Sequence, residues 1–382
     1  MNKGVVLFVG SFNPPTNAHL GIIREASRRF SRVVVMPAAI SPFKLDAKRI
    51  SVDDRLHLLE EICRPFAAAE VSDYEIRQSG VSYTYKTVEY LRKTCQTDIY
   101  LIIGSDNIKR LGEWKCFDKI ASAVTFYIVP RPYFPLGEEE KSVLIKLGCR
   151  YEEADFAGGT GSSTIVPLAR AFGKLAQVVP PRVEEYIVAR DLFSSLQYVR
   201  GIYDRFSVKP ERREHIYRTA VAAAALASIY GADSEKTITA AVLHDVGKYV
   251  TVREMEEKGF RFDDEARHCP APVEHCYTSE AIARDVAGID DPEVLRAIRL
   301  HTTGDRDMTT LQKIIFCADY IEEGRTTPGV EKIRCDIVKN LDVAMLEIVE
   351  STVGYLEKKG AAVDRRTVEC RKWLKEIILK GE

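Results

Sequence analysis

The spacing of apolar positions changes part way along the chain. In the first half, short unbroken apolar runs recur: GVVLFVG at 4–10, RVVVMP at 32–37, a run near 70–76, DIYLIIG at 98–104 and AVTFYIVP at 123–130. Runs this short and this rich in β-branched residues predict strands buried on both faces. Between them lie LGIIREASRRF, DDRLHLLEEIC and YKTVEYLRKTC, whose apolar residues recur at helical spacing. Strand and helix in alternation predict an α/β domain with a parallel sheet between helices. Ligands of such sheets sit beyond the carboxyl ends of the strands.

After about Val199 the β-rich runs vanish. Amphipathic helical patterns follow at about 211–230, 234–248, 279–287, 292–301, 311–323, 343–358 and 365–380, which predicts an all-α second half. The piece SSLQY at 194–198 is the best boundary, so the expected domains are 1–195 and 196–382. No internal repeat and no low-complexity segment interrupts either half.

The 382 residues exceed what one ordinary core holds, in keeping with two domains. A formal net charge of -1 supplies no broad attraction for nucleic acid or membrane, so any anion must be bound locally. Nine cysteines, odd in number and without a C-x-x-C pair, read as reduced core thiols. No apolar stretch reaches membrane-spanning length, and the start MNKGVVLFVG runs straight into a strand. These features predict a cytoplasmic protein whose partners are small molecules; they are compatible with a homo-oligomer.

The first strand leads into GSFNPPTNAHL at 10–20. Gly10 permits a sharp turn and close approach to a ligand, Pro14 and Pro15 stiffen the loop, and Thr16 or Asn17 can cap the helix that follows. Amides exposed at a helix start attract phosphate, and His19 in the first turn can donate to a phosphate oxygen.

This loop resembles the (H/T)-x-G-H signature of the nucleotidyltransferase superfamily, written here Thr16-Asn17-Ala18-His19, with Ala in place of the usual Gly. The segments PAAISPFK at 37–44, SDYEIRQSGVSYTYKTVEYL at 72–91, LIIGSDNIKRLGEWKCFDKI at 101–120, GSSTIV at 161–166 and PPRVEEYIVARDLF at 180–193 are similar to nicotinate mononucleotide adenylyltransferases. The resemblance implies a Rossmann-like domain that transfers AMP from ATP to nicotinate mononucleotide, giving deamido-NAD and pyrophosphate with Mg²⁺ on the ATP. It also implies that His19 and Lys44 contact phosphate. Gly10, Ser11, Phe12, Thr16, Ser162, Ser163, Thr164 and Arg170 would serve ATP; Lys44, Tyr83, Thr84, Asp106 and Trp114 would serve the mononucleotide. One departure matters: Pro167 stands where the family places an arginine, and the nearest arginine is Arg170.

Five of the seven histidines lie in the second half. In AAVLHDVGK at 240–248 an apolar run ends in adjacent His244 and Asp245, costly to bury unless they bind a cation. His215, His301 and Asp319 are likewise polar residues at core-facing positions. The order H…HD…H…H…D resembles the six-ligand HD phosphohydrolases. That resemblance implies two metals, Fe or Mn before others, on His215, His244, Asp245, His275, His301 and Asp319, with Asp245 bridging. The string HCPAPVEHC at 268–276 offers a rival thiolate zinc reading, but its spacing fits no common zinc motif; His275 is preferred to His268 as the ligand.

AIRLHTTGDRDMTTLQKIIFCADYIEEGR at 297–325 resembles the YqeK-like branch, which splits diadenosine tetraphosphate symmetrically into two ADP. Lys248, Arg306 or Arg325 would then neutralise polyphosphate, with Asp245 and Lys248 at the reacting centre. Two alternatives remain open on sequence grounds. The first half could be a non-catalytic nucleotide sensor, or both halves could be enzymes on other substrates, with nicotinamide mononucleotide in the first and another nucleotide in the second.

Overall fold

The computed structural model describes residues 3–40, 49–78, 80–131, 134, 136–156 and 162–381. Lys44 lies outside them. The chain divides into two compact units, 1–169 with 173–194, and 170–172 with 195–382.

The first unit is a six-stranded parallel sheet: β1 (Lys3–Gly10), β2 (Phe30–Pro37), β3 (Ala69–Val71), β4 (Ile99–Gly104), β5 (Thr125–Val129) and β6 (Tyr151–Glu153), in the order β3-β2-β1-β4-β5-β6. β1 pairs with β2 in the register Gly10↔Pro37 and with β4 in the register Val5↔Ile99. The strand order therefore reverses between β1 and β4, the crevice where sheets of this kind bind ligands. Helix α1 (Asn17–Arg29) leaves that crevice, burying Ala18, Ile22, Ile23 and Ala26.

The apolar run near 70–76 differs from expectation. Only Ala69–Val71 is strand, and Tyr74–Arg77 forms a short helix. That turn carries Glu75 inward, where Thr87 Oγ1 donates to its carboxylate at 2.5 Å. β6 is too short and too polar to show an apolar run; it pairs only with β5, as an edge strand.

The second unit is helical around α2 (Pro210–Tyr230), α3 (Ser234–Leu243), α4 (Glu274–Asp285), α5 (Pro292–Leu300) and α6 (Thr310–Ile321), followed by Leu341–Lys358 and Arg365–Lys380. Asp233, Asp291 and Thr309 cap α3, α5 and α6 through their side chains. Two helices differ from the pattern-based bounds. α3 stops before His244, because the chain turns through 244–249 to pass against α4. α4 begins at Glu274 rather than near 279, so His275 lies inside its first turn. Among the described residues no helix is long and apolar enough to cross a membrane, and all nine cysteines are free.

Candidate functional sites

The loop after β1 turns back on itself: Phe12 takes a positive φ of 43° and is buried, and its ring lies 5.0 Å from that of His19. Thr16 is buried and precedes α1. Its backbone N–H donates to His19 Nδ1 at 2.9 Å, and its hydroxyl sits 2.9 Å from the same nitrogen. An N–H can only donate, so Nδ1 accepts, and the neutral imidazole carries its proton on Nε2. Local backbone geometry thus sets His19 as an Nε2–H donor at the start of α1.

The loop is held from beneath by Arg55, which is fully buried. Its guanidinium donates to the carbonyls of Ser11, at 3.1 Å, and Ala38, at 2.6 Å. Burial pulls its pKa down, with Arg49 adding to the effect. Arg55 thereby ties the loop after β1 to the loop after β2. Sequence reasoning missed it, because an arginine at an apolar helical spacing reads as surface.

The other predicted residues of this unit lie in the segments that follow β3, β4 and β6. Tyr83 precedes the helix Thr84–Thr94, with Lys115 Nζ 4.4 Å from its ring centroid. Ser82 beside it accepts from Ala39 N–H at 2.9 Å, joining this segment to the β2 exit. Asp106 lies just past β4, 3.8 Å from Arg131. Trp114 is half-buried against the sheet core. Ser162 is exposed and accepts from Thr164 N–H at 3.2 Å, starting the turn Ser163–Ile165. Pro167 is the second residue of the helix Val166–Ala171, a position that needs no amide donor. Arg170 groups with the helical unit.

In that unit five of the six predicted ligands are buried, and Asp319 is half-buried. α3 and α5 each end in leucine, and a histidine follows. The two histidines, at the C-caps, point Nδ1 back at a carbonyl: His244 to Ala241 O at 2.6 Å and His301 to Ile298 O at 2.7 Å. A carbonyl only accepts, so both carry Nδ1–H and keep an Nε2 lone pair for a metal. His215 comes from the second turn of α2 and His275 from the first turn of α4.

Asp245 stands between two groups of these side chains. Its Oδ2 lies 3.7 Å from both His215 Nε2 and His244 Nε2; its Oδ1 lies 3.4 Å from His275 Nε2 and 3.8 Å from His301 Nε2. Asp319 Oδ1 is 2.9 Å from His215 Nε2. His244 Nε2 and Asp245 Oδ1 are buried without a hydrogen bond. Orphaned lone pairs of this kind, converging from nitrogen and carboxylate donors, fit divalent metal binding.

The close approach of the 244–249 turn to α4 depends on Gly247. A Cβ there would lie 2.3 Å from Thr278 Oγ1. Gly247 N–H donates to Ser279 Oγ and its carbonyl accepts from Thr278 Oγ1, both at 2.9 Å.

Burial pushes His244 down to about 3 and His275 down to about 4. Asp245 is driven far below its usual range: against the burial penalty, the surrounding imidazoles and Lys248 favour its charge. His244, His275 and Asp245 are therefore in their binding protonation states at neutral pH, whereas His215 and His301 shift upward: against the burial penalty, Asp319 and Glu322 favour charge on His215, and Cys276 favours it on His301.

Lys248 Nζ lies 3.0 Å from His275 Nε2 and 3.7 Å from Asp245 Oδ1, at the cluster itself. Arg325 bonds Asp319 Oδ1 at 2.7 Å. Arg306 lies away from these ligands, within 3.9 Å of Glu369 and Glu376, beside a separate cavity of 530 Å³. His268 is exposed and bonds Asp264 O at 2.7 Å, outside the cluster.

Two further residues, both of the helical unit, went unnoticed in the sequence. Arg212 donates to Asp245 Oδ2 at 2.7 Å; its place one turn before His215 was the available signal. Buried Glu322 lies 3.3 Å from His215 Nδ1 and accepts from Arg218 Nε at 2.6 Å and Gly324 N–H at 2.7 Å. Burial opposes its charge, but these donors hold it down at about 2.

Residues 7–165 match the cytidylyltransferase-like family and residues 212–324 match the HD domain family. The chain thus joins a nucleotidyltransferase domain to an HD hydrolase domain. A symmetrical bis(5′-nucleosyl)-tetraphosphatase of Staphylococcus aureus is 40% identical over 167 residues, covering 42% of this chain and 86% of that protein. A probable nicotinate-nucleotide adenylyltransferase of Clostridium botulinum is 31% identical over 201 residues, 50% of this chain and 99% of that one. A Mycoplasma genitalium protein described as a probable nicotinate-nucleotide adenylyltransferase/Ap4A hydrolase is 24% identical over 333 residues, 85% of this chain and 89% of its own length. The chain belongs to both families, the nicotinate-nucleotide adenylyltransferases and the symmetrical bis(5′-nucleosyl)-tetraphosphatases.

Proposed function

We propose that the first unit transfers AMP from Mg²⁺-bound ATP to nicotinate mononucleotide. The 5′-phosphate oxygen attacks the α-phosphorus and pyrophosphate leaves, giving deamido-NAD; no protein nucleophile is needed. The fixed Nε2–H tautomer of His19 carries this reading, since it aims a donor rather than a base at charge developing on phosphate. The amides at the start of α1 and the backbone of Gly10 and Ser11 cradle the phosphates, with Phe12, Thr16, Ser162, Ser163 and Thr164 around them. By resemblance Arg170 is assigned to ATP, and Lys44, as a phosphate contact, goes with Tyr83, Thr84, Asp106 and Trp114 to the mononucleotide.

For the second unit we propose symmetrical hydrolysis of diadenosine tetraphosphate, in which water adds at an inner phosphorus and two ADP leave. The orphaned Asp245 Oδ1 and His244 Nε2 carry it. His215, His244 and Asp319 would hold one metal and His275 and His301 a second, with Asp245 between them. The mixed imidazole and carboxylate set suits Fe or Mn. Two bound ions would activate water and neutralise phosphoryl oxygens during in-line displacement. Lys248 is placed to meet charge on the leaving phosphate, Arg212 and Arg325 orient the two carboxylates, and Glu322 orients His215. Free thiols accord with a cytoplasmic enzyme working on small nucleotides.

An Asp245→Ala variant, given Mg²⁺, ATP and either nicotinate or nicotinamide mononucleotide, tests the transferase without product loss. Turnover of the nicotinate form is expected, with pyrophosphate and dinucleotide in equal amounts by chromatography. No turnover of either by the folded variant would leave a nucleotide-sensing domain instead. Wild-type protein given diadenosine tetraphosphate should release ADP alone; AMP plus ATP would refute symmetrical cleavage.

A further inference from the structure

We propose that Cys276 supplies a thiolate ligand to the second metal position, giving it a mixed nitrogen, oxygen and sulfur donor set. The inference rests on the two-metal reading above. The two positions are unequally furnished by the six predicted ligands. One has His215, His244 and Asp319 beside the shared Asp245; the other has only His275 and His301 beside it. That leaves three protein donors, against four at the first position.

Cys276 fills the gap. Its side chain is buried, and its Sγ lies 3.9 Å from His275 Nε2, which is 3.1 Å from His301 Nε2. A ligand atom from each of the three lies within 4.8 Å of the others. An ion about 2.1 Å from nitrogen and about 2.3 Å from sulfur holds tetrahedral ligands about 3.4 Å apart for two nitrogens and about 3.6 Å for nitrogen and sulfur. The cluster is close to those spacings before any ion draws it together.

A buried cysteine is ordinarily inert packing, and Cys276 does also touch the apolar group of Val252, Ala266 and Tyr277. Cys269 shows what that bland role looks like nearby, with its Sγ donating to Ala266 O at 3.1 Å. Cys276 instead sits at two buried imidazoles whose Nε2 atoms converge. A thiolate there would favour softer ions over Mg²⁺ or Ca²⁺ and make the two positions chemically distinct.

The test is to strip the full-length protein of metal, titrate it with Co²⁺ and record bound metal and the near-ultraviolet spectrum. Two equivalents should bind, with a thiolate-to-cobalt charge-transfer band appearing as the second position fills. Cys276→Ser and Cys276→Ala should lose the band, and Cys269→Ser should keep it. In Cys276→Ala the second equivalent should bind about 10-fold or more weakly. Two cobalt ions in the wild type without a band, or a band surviving in Cys276→Ala, would remove Cys276 from the ligand set and leave the two-metal reading standing. Fewer than two ions in the wild type would overturn both.

Discussion

On the proposed function the loop after β1 and the cluster on α2 to α6 both serve phosphate chemistry, yet one is built mainly from backbone and the other from side chains. At the loop, strand order and a helix start aim amides into a crevice; the one titratable group, His19, is fixed by its neighbour's N–H at 2.9 Å. At the cluster, five buried ionisable residues converge from helices far apart in sequence. A backbone site survives single side-chain changes with graded loss, whereas a buried ligand set fails when one member leaves, because the remaining charges lose their compensation.

The sharpest break of this contrast is Asp245→Asn. Hydrolysis of diadenosine tetraphosphate should fall well beyond the roughly 100-fold seen when a partner behind a ligand is lost, while adenylyl transfer changes less than about two-fold. Product chromatography on the same preparation reads both.

His19→Ala should do the reverse at smaller scale. Transfer kcat is expected to drop about 10²- to 10³-fold, as for loss of one preorganised donor, with hydrolysis intact. His19→Gln, which keeps an N–H donor, should recover part of it. Equal rates for the Gln and Ala variants would mean that the Nε2 proton is not used.

Glu322→Gln sharpens the comparison further. Loss of the carboxylate behind His215 should weaken metal binding about 10- to 100-fold, measured by competition with a chelating dye, and leave transfer unaffected.

The metal-free helical unit should also be acid-sensitive. His244 at about 3 and His275 at about 4 lie below the unfolded value of about 6.5, so the unfolded chain binds protons that the native state refuses. Their contribution is fully present above about pH 6.5 and is lost as pH falls towards 4, opposed in part by His215 and His301, whose upward shifts favour the native state as pH falls. The urea midpoint of metal-free protein, followed by far-ultraviolet circular dichroism, should fall between pH 7 and 5. A constant midpoint would contradict the assigned burial.

The smallest effect is expected for Arg55→Met, which removes two hydrogen bonds under the phosphate loop. A stability loss of about 1–3 kcal/mol and a raised KM for ATP should follow, against unchanged hydrolysis.

Much of the frame was legible because it is periodic: the unbroken strands β1, β2, β4 and β5 and the long helices α2 and Arg365–Lys380 announce themselves through apolar spacing. Short elements were not. β6 is three residues of YEE, and the run at 70–76 splits because Glu75 must turn inward to reach Thr87. The HD pair was conspicuous as charge at the end of an apolar helix, and so was His301. What stayed hidden depends on geometry across the chain. Arg55 looks like any surface arginine until its carbonyl partners are seen. Glu322 becomes an orienting group only through contact with His215, 107 positions away in sequence. Arg306, chosen by its place near the motif, points elsewhere.

The most direct test of two independent sites is to assay metal-stripped wild-type protein for both reactions side by side. Supplied only with Mg²⁺, ATP and nicotinate mononucleotide for the transfer assay, it should form deamido-NAD at the full rate. Without added metal it should not hydrolyse diadenosine tetraphosphate until Mn²⁺ or Fe²⁺ is restored. Hydrolysis by stripped protein, or failure to form deamido-NAD while hydrolysis recovers, would contradict the assignment of separate chemistries to the two units.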